Sequence, residues 1–330
     1  MLSNKLLRCE SGRIDYLCYV KVLFVDSAHP SLKQKLQAYG FQCDEPDLGR
    51  EAVKSILQKY DAVVIRSRFK FDREMLDAAA GSVRCIARVG AGMENIDVPY
   101  AESLGIKCLS APEGNRDAVA EHALAMLLAL MNNLCRADRE VRQGLWIREG
   151  NRGYELNGKT VGIIGLGNNG SAFARVLSGF NCRVLAYDPY IESDPNHPAT
   201  LHTIETLFSE CDVVSLHVPL NEETLYIANA EWFNRFEKPI WFINTARGKC
   251  LRTADLIQAI ESGKVLGAAL DVLEFESLSF ENADTAPPEF HWLTKSDKVV
   301  LSPHIAGWTH ESNVKMAQIL ADRIVEVLKP

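Results

Sequence analysis

The stretch Thr160–Pro189, TVGIIGLGNNGSAFARVLSGFNCRVLAYDP, narrows the possible folds more than any other part of the chain. Val161, Ile163 and Ile164 form an apolar run that reads as a buried strand. It enters Gly165-Leu166-Gly167-Asn168-Asn169-Gly170 and then a helix pattern carried by Ala172, Phe173, Val176 and Leu177, with Ala174 small enough for close packing. A second apolar strand, Arg183 to Tyr187, ends at Asp188. Strand, glycine turn, helix, strand and terminal acid, in that order, are the fingerprint of a dinucleotide-binding unit. Gly165 permits the tight turn, Gly167 lets backbone approach a pyrophosphate, and Gly170 lets helix and strand pack closely. The N–H groups at the helix start supply the anion site. Asp188 follows about 20 residues downstream, where an acid accepts hydrogen bonds from a ribose diol and repels a 2′-phosphate, which predicts NAD over NADP. Asp188 is also suited to capping Pro189-Tyr190.

A chain of 330 residues exceeds the size at which single cores stop growing, so two domains are expected. The net charge of −7 gives no overall attraction to nucleic acid or to anionic membranes, and no apolar run approaches a membrane span. The nine cysteines are scattered without a CxxC, which favours reduced, buried thiols over metal ligation. No acidic metal cluster or zinc-finger spacing is present, so no metal is expected. Residues 1–19 carry charges but no sustained apolar core and make a poor secretory signal; they read as an extension, and cytoplasm is the default compartment.

Before the glycine turn, Val20–Val25, Asp61–Ile65, Cys85–Arg88 and Ile106–Leu109 read as strands alternating with helices, so the first part is itself an α/β domain. Its strands deliver Arg66-Ser67-Arg68 and Arg88-Val89-Gly90-Ala91-Gly92 to one sheet edge, where open α/β sheets bind ligands. Arg66, Arg68 and Arg88 are candidate anion contacts. Asn115–Arg142 reads as one long helix with a broad apolar face, fit for a domain connector or an oligomer surface. His122 within it stands among small apolar residues and reads as structural.

After Asp188, strands at Asp212–Val218, Ile240–Ile243, Val265–Leu270 and Val299–Leu301 deliver His217 and Pro219, Asn244-Thr245-Ala246-Arg247-Gly248, Asp271 and Ser302-Pro303-His304 to strand ends. Glu274–Glu289 reads as a long acidic loop, and Glu311–Leu328 as a closing amphipathic helix returning to the first domain. Hydride transfer at a hydroxyl-bearing carbon needs a base, a cation for carboxylate and carbonyl, and an acid that orients the base. His304 suits the first role and Arg247 the second. Glu274 and Glu276 both qualify for the third.

These motifs taken together resemble the D-isomer-specific 2-hydroxyacid dehydrogenase family from about Val20 onward. The resemblance rests on Arg88-Val-Gly-Ala-Gly-Met-Glu-Asn-Ile-Asp97, Asn115 to Glu121, Gly165 to Gly170, Asn244-Thr-Ala-Arg-Gly248, Asp271-Val272 with Glu276, and Ser302-Pro-His-Ile-Ala-Gly307. It implies two doubly wound parallel-sheet α/β domains. One is a flavodoxin-like substrate domain (20–114 plus 308–330), the other a Rossmann NAD-binding domain (115–307), with the active site in the cleft between them. It implies Arg247 as the substrate-carboxylate arginine, Glu276 as the histidine-orienting acid and His304 as the general acid/base. Substrate contacts from Val89, Gly90 and Gly92 follow, as does a homodimer. The cofactor is expected against Gly165, Gly167, Asn168, Asn169, Gly170, Asp188, His217, Pro219, Thr245, Ala246 and Asp271.

Arg66, Ser67, Arg88 and Arg148 resemble positions that phosphoglycerate dehydrogenases use around a phosphorylated acid, with Arg148 supplied by the partner subunit. This favours 3-phosphoglycerate as substrate. The alternatives are a glyoxylate or hydroxypyruvate reductase, another phosphorylated 2-hydroxyacid dehydrogenase, and, ranked lower, an NAD-responsive corepressor-like interaction protein. Ser277 departs from the family pattern, which places proline after the glutamate.

Overall fold

The computed structural model describes residues 20–192, 197–276 and 286–329. They divide into two compact units, the described part of Met1–Ala111 with Ala317–Pro330, and Pro112–Met316. The return segment joins the first unit at Ala317 rather than at residue 308. The predicted extension (1–19) and most of the predicted acidic loop (277–285) lie outside the described residues.

The first unit is a parallel sheet of five strands in the order β2-β1-β3-β4-β5. In chain order its elements are β1 (Lys21–Phe24), α1 (Pro30–Ala38), β2 (Gln42–Asp44), α2 (Arg50–Ile56), β3 (Ala62–Ile65), α3 (Arg73–Ala79), β4 (Cys85–Arg88), α4 (Val98–Ser103) and β5 (Lys107–Leu109). Parallel strands covered on both faces read as continuous apolar runs, and β3 is buried at every position. Leu23, Val63, Ile86, Phe71 and Met75 are fully buried here, each worth about 1.5–3 kcal/mol against exposure. Asp72 and Asp97 cap α3 and α4 by accepting the N–H groups of Met75 and Tyr100. At the far end of the chain, the Arg84 guanidinium donates to the carbonyls of Val327 and Leu328. This satisfies the terminal acceptors of the last helix and fastens it to this unit, as its pattern predicted.

The second unit begins with α5 (Pro112–Met131) and α6 (Leu134–Arg142). The sequence predicts one helix here, but the two segments meet at 62°. Asn133 takes a left-handed backbone (φ 52°), which a continuing α-helix forbids and asparagine tolerates. Then come β6 (Thr160–Ile164), α7 (Asn168–Leu177), β7 (Arg183–Tyr187), β8 (Thr200–Leu201), α8 (Ile204–Glu210), β9 (Val213–Leu216), α9 (Ala230–Asn234), β10 (Ile240–Asn244), α10 (Thr253–Glu261), β11 (Val265–Leu270), α11 (Pro288–Lys295), β12 (Val299–Leu301) and the start of α12 (His310–Leu328), which from Ala317 onward belongs to the first unit. The seven strands pair in parallel in the order β12-β11-β10-β9-β6-β7-β8. Chain order reverses direction between β6 and β9, the switch point at which such sheets receive ligands. Ala120, Ala123, Leu127 and Leu130 of α5 pack into the same core as Phe173 and Leu177 of α7, so the small residues serve close helix packing. No single described helix is long and apolar enough to cross a membrane.

Candidate active site

The glycine turn has the geometry its sequence predicts. Gly165 has φ +90°, and a Cβ there would lie 2.8 Å from the His217 carbonyl oxygen. A Cβ on Gly170 would lie 2.0 Å from the Gly165 carbonyl oxygen, so α7 sits on the turn at a distance that only glycine allows. Gly167 is the N-cap of α7 and, as glycine, supplies no capping side chain; a Cβ there would meet nothing within 4 Å. That side of the turn is open to an anion. Asp188 accepts the Leu166 N–H on Oδ2 at 2.8 Å and the Tyr190 N–H on Oδ1 at 2.9 Å. It therefore braces the turn and caps the following loop, and each oxygen has a second lone pair for a ribose hydroxyl.

Three buried polar atoms on this edge have no hydrogen-bond partner among the described residues: Asn169 Oδ1, His217 Nδ1 and Thr245 Oγ1. Buried polar atoms are costly unless paired, so a polar ligand against this edge relieves them. The other ring nitrogen of His217 lies 2.8 Å from Ser215 Oγ, and burial pushes the imidazole down to about 3, so it is neutral at physiological pH. Pro219 is held by the Thr224 hydroxyl, which donates to its carbonyl at 2.6 Å. Asn168 is exposed on the first turn of α7. The residues present fit a dinucleotide.

Arg247, Glu276 and His304 follow β10, β11 and β12, three neighbouring strands. Buried Asn244 brackets the arginine turn, accepting the Ala246 N–H at 3.0 Å and donating to the Arg247 carbonyl at 3.0 Å. The Arg247 guanidinium donates to the Ala246 carbonyl at 2.7 Å. A Cβ on Gly248 would lie 1.8 Å from the Leu273 carbonyl oxygen, so the arginine turn is pressed onto the turn that carries Glu276.

The two candidate glutamates separate cleanly. Glu274 accepts the Thr253 N–H at 2.9 Å at the start of α10, a structural role. Glu276 Oε2 lies 2.9 Å from His304 Nδ1, and its other oxygen accepts the Leu273 N–H. The hydrogen bond that His304 donates to Glu276 raises its pKa above the ordinary value, against burial and the Arg247 charge, which lower it.

His304 adopts φ +54°, the left-handed region that costs most residues about 1–3 kcal/mol. Asp271 holds it there. The Asp271 carbonyl accepts the His304 N–H at 2.7 Å; its carboxylate accepts the Ser302 hydroxyl and, at 2.9 Å each, the N–H groups of Ile305 and Ala306. Asp271 is 2% exposed, and His122 of α5 lies 2.8 Å from Ser302 Oγ behind it. The sequence places Asp271 and Ala246 against the cofactor. In the structure the Asp271 carboxylate is bonded to the histidine turn, and the Ala246 N–H and carbonyl are engaged within the arginine turn, so both residues also position those turns. Sequence reasoning missed Ser302 as the link between His122 and Asp271, although it stands in the Ser-Pro-His motif.

In the first unit, Arg66 and Arg88 stand at the ends of β3 and β4, where Ile65 pairs with Arg88. Arg88 Nε donates to the Arg66 carbonyl at 3.4 Å, and Asn95 donates to the same oxygen at 3.0 Å. Burial lowers the Arg66 pKa. Ser67 is exposed beside it, and Gly90 and Gly92 follow β4. The Val89 N–H is spent on the Ile65 carbonyl at 2.8 Å, so this residue offers no N–H donor. Arg68 pairs with exposed Asp47 at 2.8 Å, a surface ion pair. Arg148 of the second unit lies in the stretch 141–150, all of it exposed, together with Leu145, Trp146 and Ile147.

Residues 124–306 match the NAD binding domain of the D-isomer specific 2-hydroxyacid dehydrogenases. The chain is 35% identical to a D-3-phosphoglycerate dehydrogenase of Archaeoglobus fulgidus over 94% of its own length, and spans 58% of that protein. It is 38% identical to a glyoxylate reductase of Thermofilum pendens, over 87% of this chain and 83% of that one. Among solved structures it is similar to a glyoxylate reductase from Paecilomyes thermophila, with a TM-score of 0.83 and 26% identity, covering 95% of this chain and 97% of that one. Those likenesses and the glycine turn, arginine turn and histidine turn together show that the chain belongs to the D-isomer-specific 2-hydroxyacid dehydrogenase family.

Proposed function

We propose that the protein is an NAD-dependent oxidoreductase acting on a D-2-hydroxy acid, with 3-phosphoglycerate its substrate. The observation that carries the reading is the His304–Glu276 pair standing on the strand ends next to the Arg247 turn, in a unit with an open glycine turn. Arg247 presents the donor fork that binds a substrate carboxylate. Glu276 occupies His304 Nδ1, so Nε2 is the nitrogen that takes the hydroxyl proton in oxidation and returns it in reduction. Asp271 and the glycine at 248 keep these groups in register. Gly165, Gly167, Gly170, Asp188, Asn169, His217 and Thr245 are the residues that would hold NAD, which when bound supplies a hydride acceptor or donor at its nicotinamide ring.

Two guanidinium groups, Arg66 and Arg88, share one strand edge of the first unit, the charge pattern a phosphorylated acid requires. A second reading, a glyoxylate or hydroxypyruvate reductase, is favoured by the fuller coverage of the Thermofilum pendens glyoxylate reductase. The exposed apolar groups Leu134, Val141, Leu145, Trp146, Ile147 and Tyr154 support a homodimer that buries them and carries Arg148 to the partner subunit. Initial rates with NAD and 3-phosphoglycerate, set against rates with NADH and glyoxylate or hydroxypyruvate, test the substrate. Light scattering on the purified chain tests the dimer. Turnover of glyoxylate alone selects the second reading, and no turnover of any of them rejects both.

A further inference from the structure

Three loops of the second unit are joined by consecutive hydrogen bonds, and the last link ties the loops on either side of the glycine turn. Asp188 fastens the loop after β7 to the turn after β6 through the Leu166 and Tyr190 N–H groups. The Tyr190 phenol then donates to Glu223 Oε2 at 2.6 Å, in the loop after β9. That loop is stiff. Asn221 N–H donates to Thr224 Oγ1 and Thr224 N–H to Asn221 Oδ1, both at 2.9 Å, and Thr224 is buried. In the sheet, β6 lies between β9 and β7, so the Tyr190–Glu223 bond joins the loops that flank the carboxyl end of β6. The two parent strands stand two spacings apart, about 10 Å.

The position of this bridge along the sheet fixes which part of a dinucleotide it faces. Arg247 and His304, on the β10 to β12 side, mark the reacting end. Asp188, after β7, marks the opposite end, where an adenosine ribose meets an acid. Tyr190 is 76% exposed, so its bond to Glu223 faces water and is weak enough to open. The phenol is protonated at neutral pH and so donates, and the hydrogen bond to Glu223 raises its pKa further. The Tyr190 N–H, by contrast, is anchored on Asp188, so the ring swings from a fixed base.

We propose that Tyr190 and Glu223 form a strap over the adenosine end of a bound dinucleotide, opening to admit it and closing to slow its departure. The proposal rests on the reading of this unit as an NAD site and adds to it two residues that act on cofactor exchange. Stopped-flow fluorescence of NADH with Tyr190→Phe, Glu223→Gln and the double variant tests it. The expected result is NADH release about fivefold faster in each single variant, the loss of one such hydrogen bond, with no further gain in the double variant. The affinity for ADP-ribose, which keeps the adenosine end and lacks nicotinamide, falls by the same factor. Unchanged release overturns the strap. So does faster association alone, which describes a gate on the free protein, or a loss for NADH that ADP-ribose does not share. Failure of the unaltered protein to bind NADH defeats the cofactor site itself, whereas normal binding with unaltered release in the variants defeats only the strap.

Discussion

His304 donates its Nδ1 proton to Glu276 Oε2 across 2.9 Å, and this bond contributes most to raising the imidazole pKa above 6.5. A carboxylate can only accept, so the pairing also fixes the tautomer and orients Nε2 outward as the proton-exchanging nitrogen.

Because the pKa is raised, the imidazolium persists above pH 6.5 and is lost as pH rises through the shifted value. Reduction, which needs the protonated ring, declines as pH rises through the shifted value, while oxidation gains over the same interval. In Glu276→Gln both limbs move to lower pH, and kcat falls by about 10–100-fold. Rate profiles measured in both directions check this; limbs that stay in place would sink the assignment of Glu276.

Asp271→Ala removes the acceptor of one hydroxyl and two backbone N–H groups from a site 2% exposed. The expected destabilisation is about 3–5 kcal/mol, with turnover lost beyond what unfolding explains. Ser302→Ala, which removes one bond of this set, costs about 1 kcal/mol. Urea unfolding of both variants beside single-turnover rates makes the comparison.

Gly248→Ala puts a methyl group 1.8 Å from the Leu273 carbonyl oxygen, so the arginine and glutamate turns must separate. A shift of about 1 Å at a reacting group costs about 100-fold in rate. NADH affinity, set at the glycine turn, is expected to change less than about twofold. Equal losses in NADH affinity and kcat would count against a local effect.

His217, with its pKa pushed down to about 3, remains neutral in the folded chain while the unfolded chain takes up a proton near 6.5. Its contribution is fully present above pH 6.5 and is lost as pH falls toward 3, by at most about 1.4 kcal/mol per pH unit. His217→Gln is expected to flatten this part of the acid limb in denaturant titrations at several pH values. Parallel curves for the two proteins would contradict it.

Arg88→Ala is expected to reduce kcat/KM for 3-phosphoglycerate by at least about tenfold more than for glyoxylate, since only the former carries a phosphate for a guanidinium. Equal penalties would remove Arg88 from phosphate recognition and favour the small-acid reading.

The parallel strands were legible because full burial writes itself as apolar runs, as in β3 and β10, and the glycine turn because close approach leaves no alternative residue. The break between α5 and α6 was not, since an apolar face continues across it into Leu134 and only the left-handed backbone of Asn133 interrupts the helix. Helix α11 hid behind Pro287-Pro288, read as a loop, although proline is well suited to the first helical position. In the candidate site, Arg247 and His304 are singled out by residue type and by their places after β10 and β12. The choice between Glu274 and Glu276 was not open to residue chemistry alone; it is made by partners 21 and 28 positions away. Asp271 concealed its role for the same reason, its carboxylate bonds reaching 31 to 35 residues along the chain.

The left-handed backbone at His304 predicts an unequal tolerance of heat. Its most reactive side chain rides on a segment that would relax if released, tethered by a few bonds to one acid, while the sheets beneath are secured by whole layers of apolar groups. Warming should therefore silence turnover several degrees before the sheets melt, and cooling should restore it.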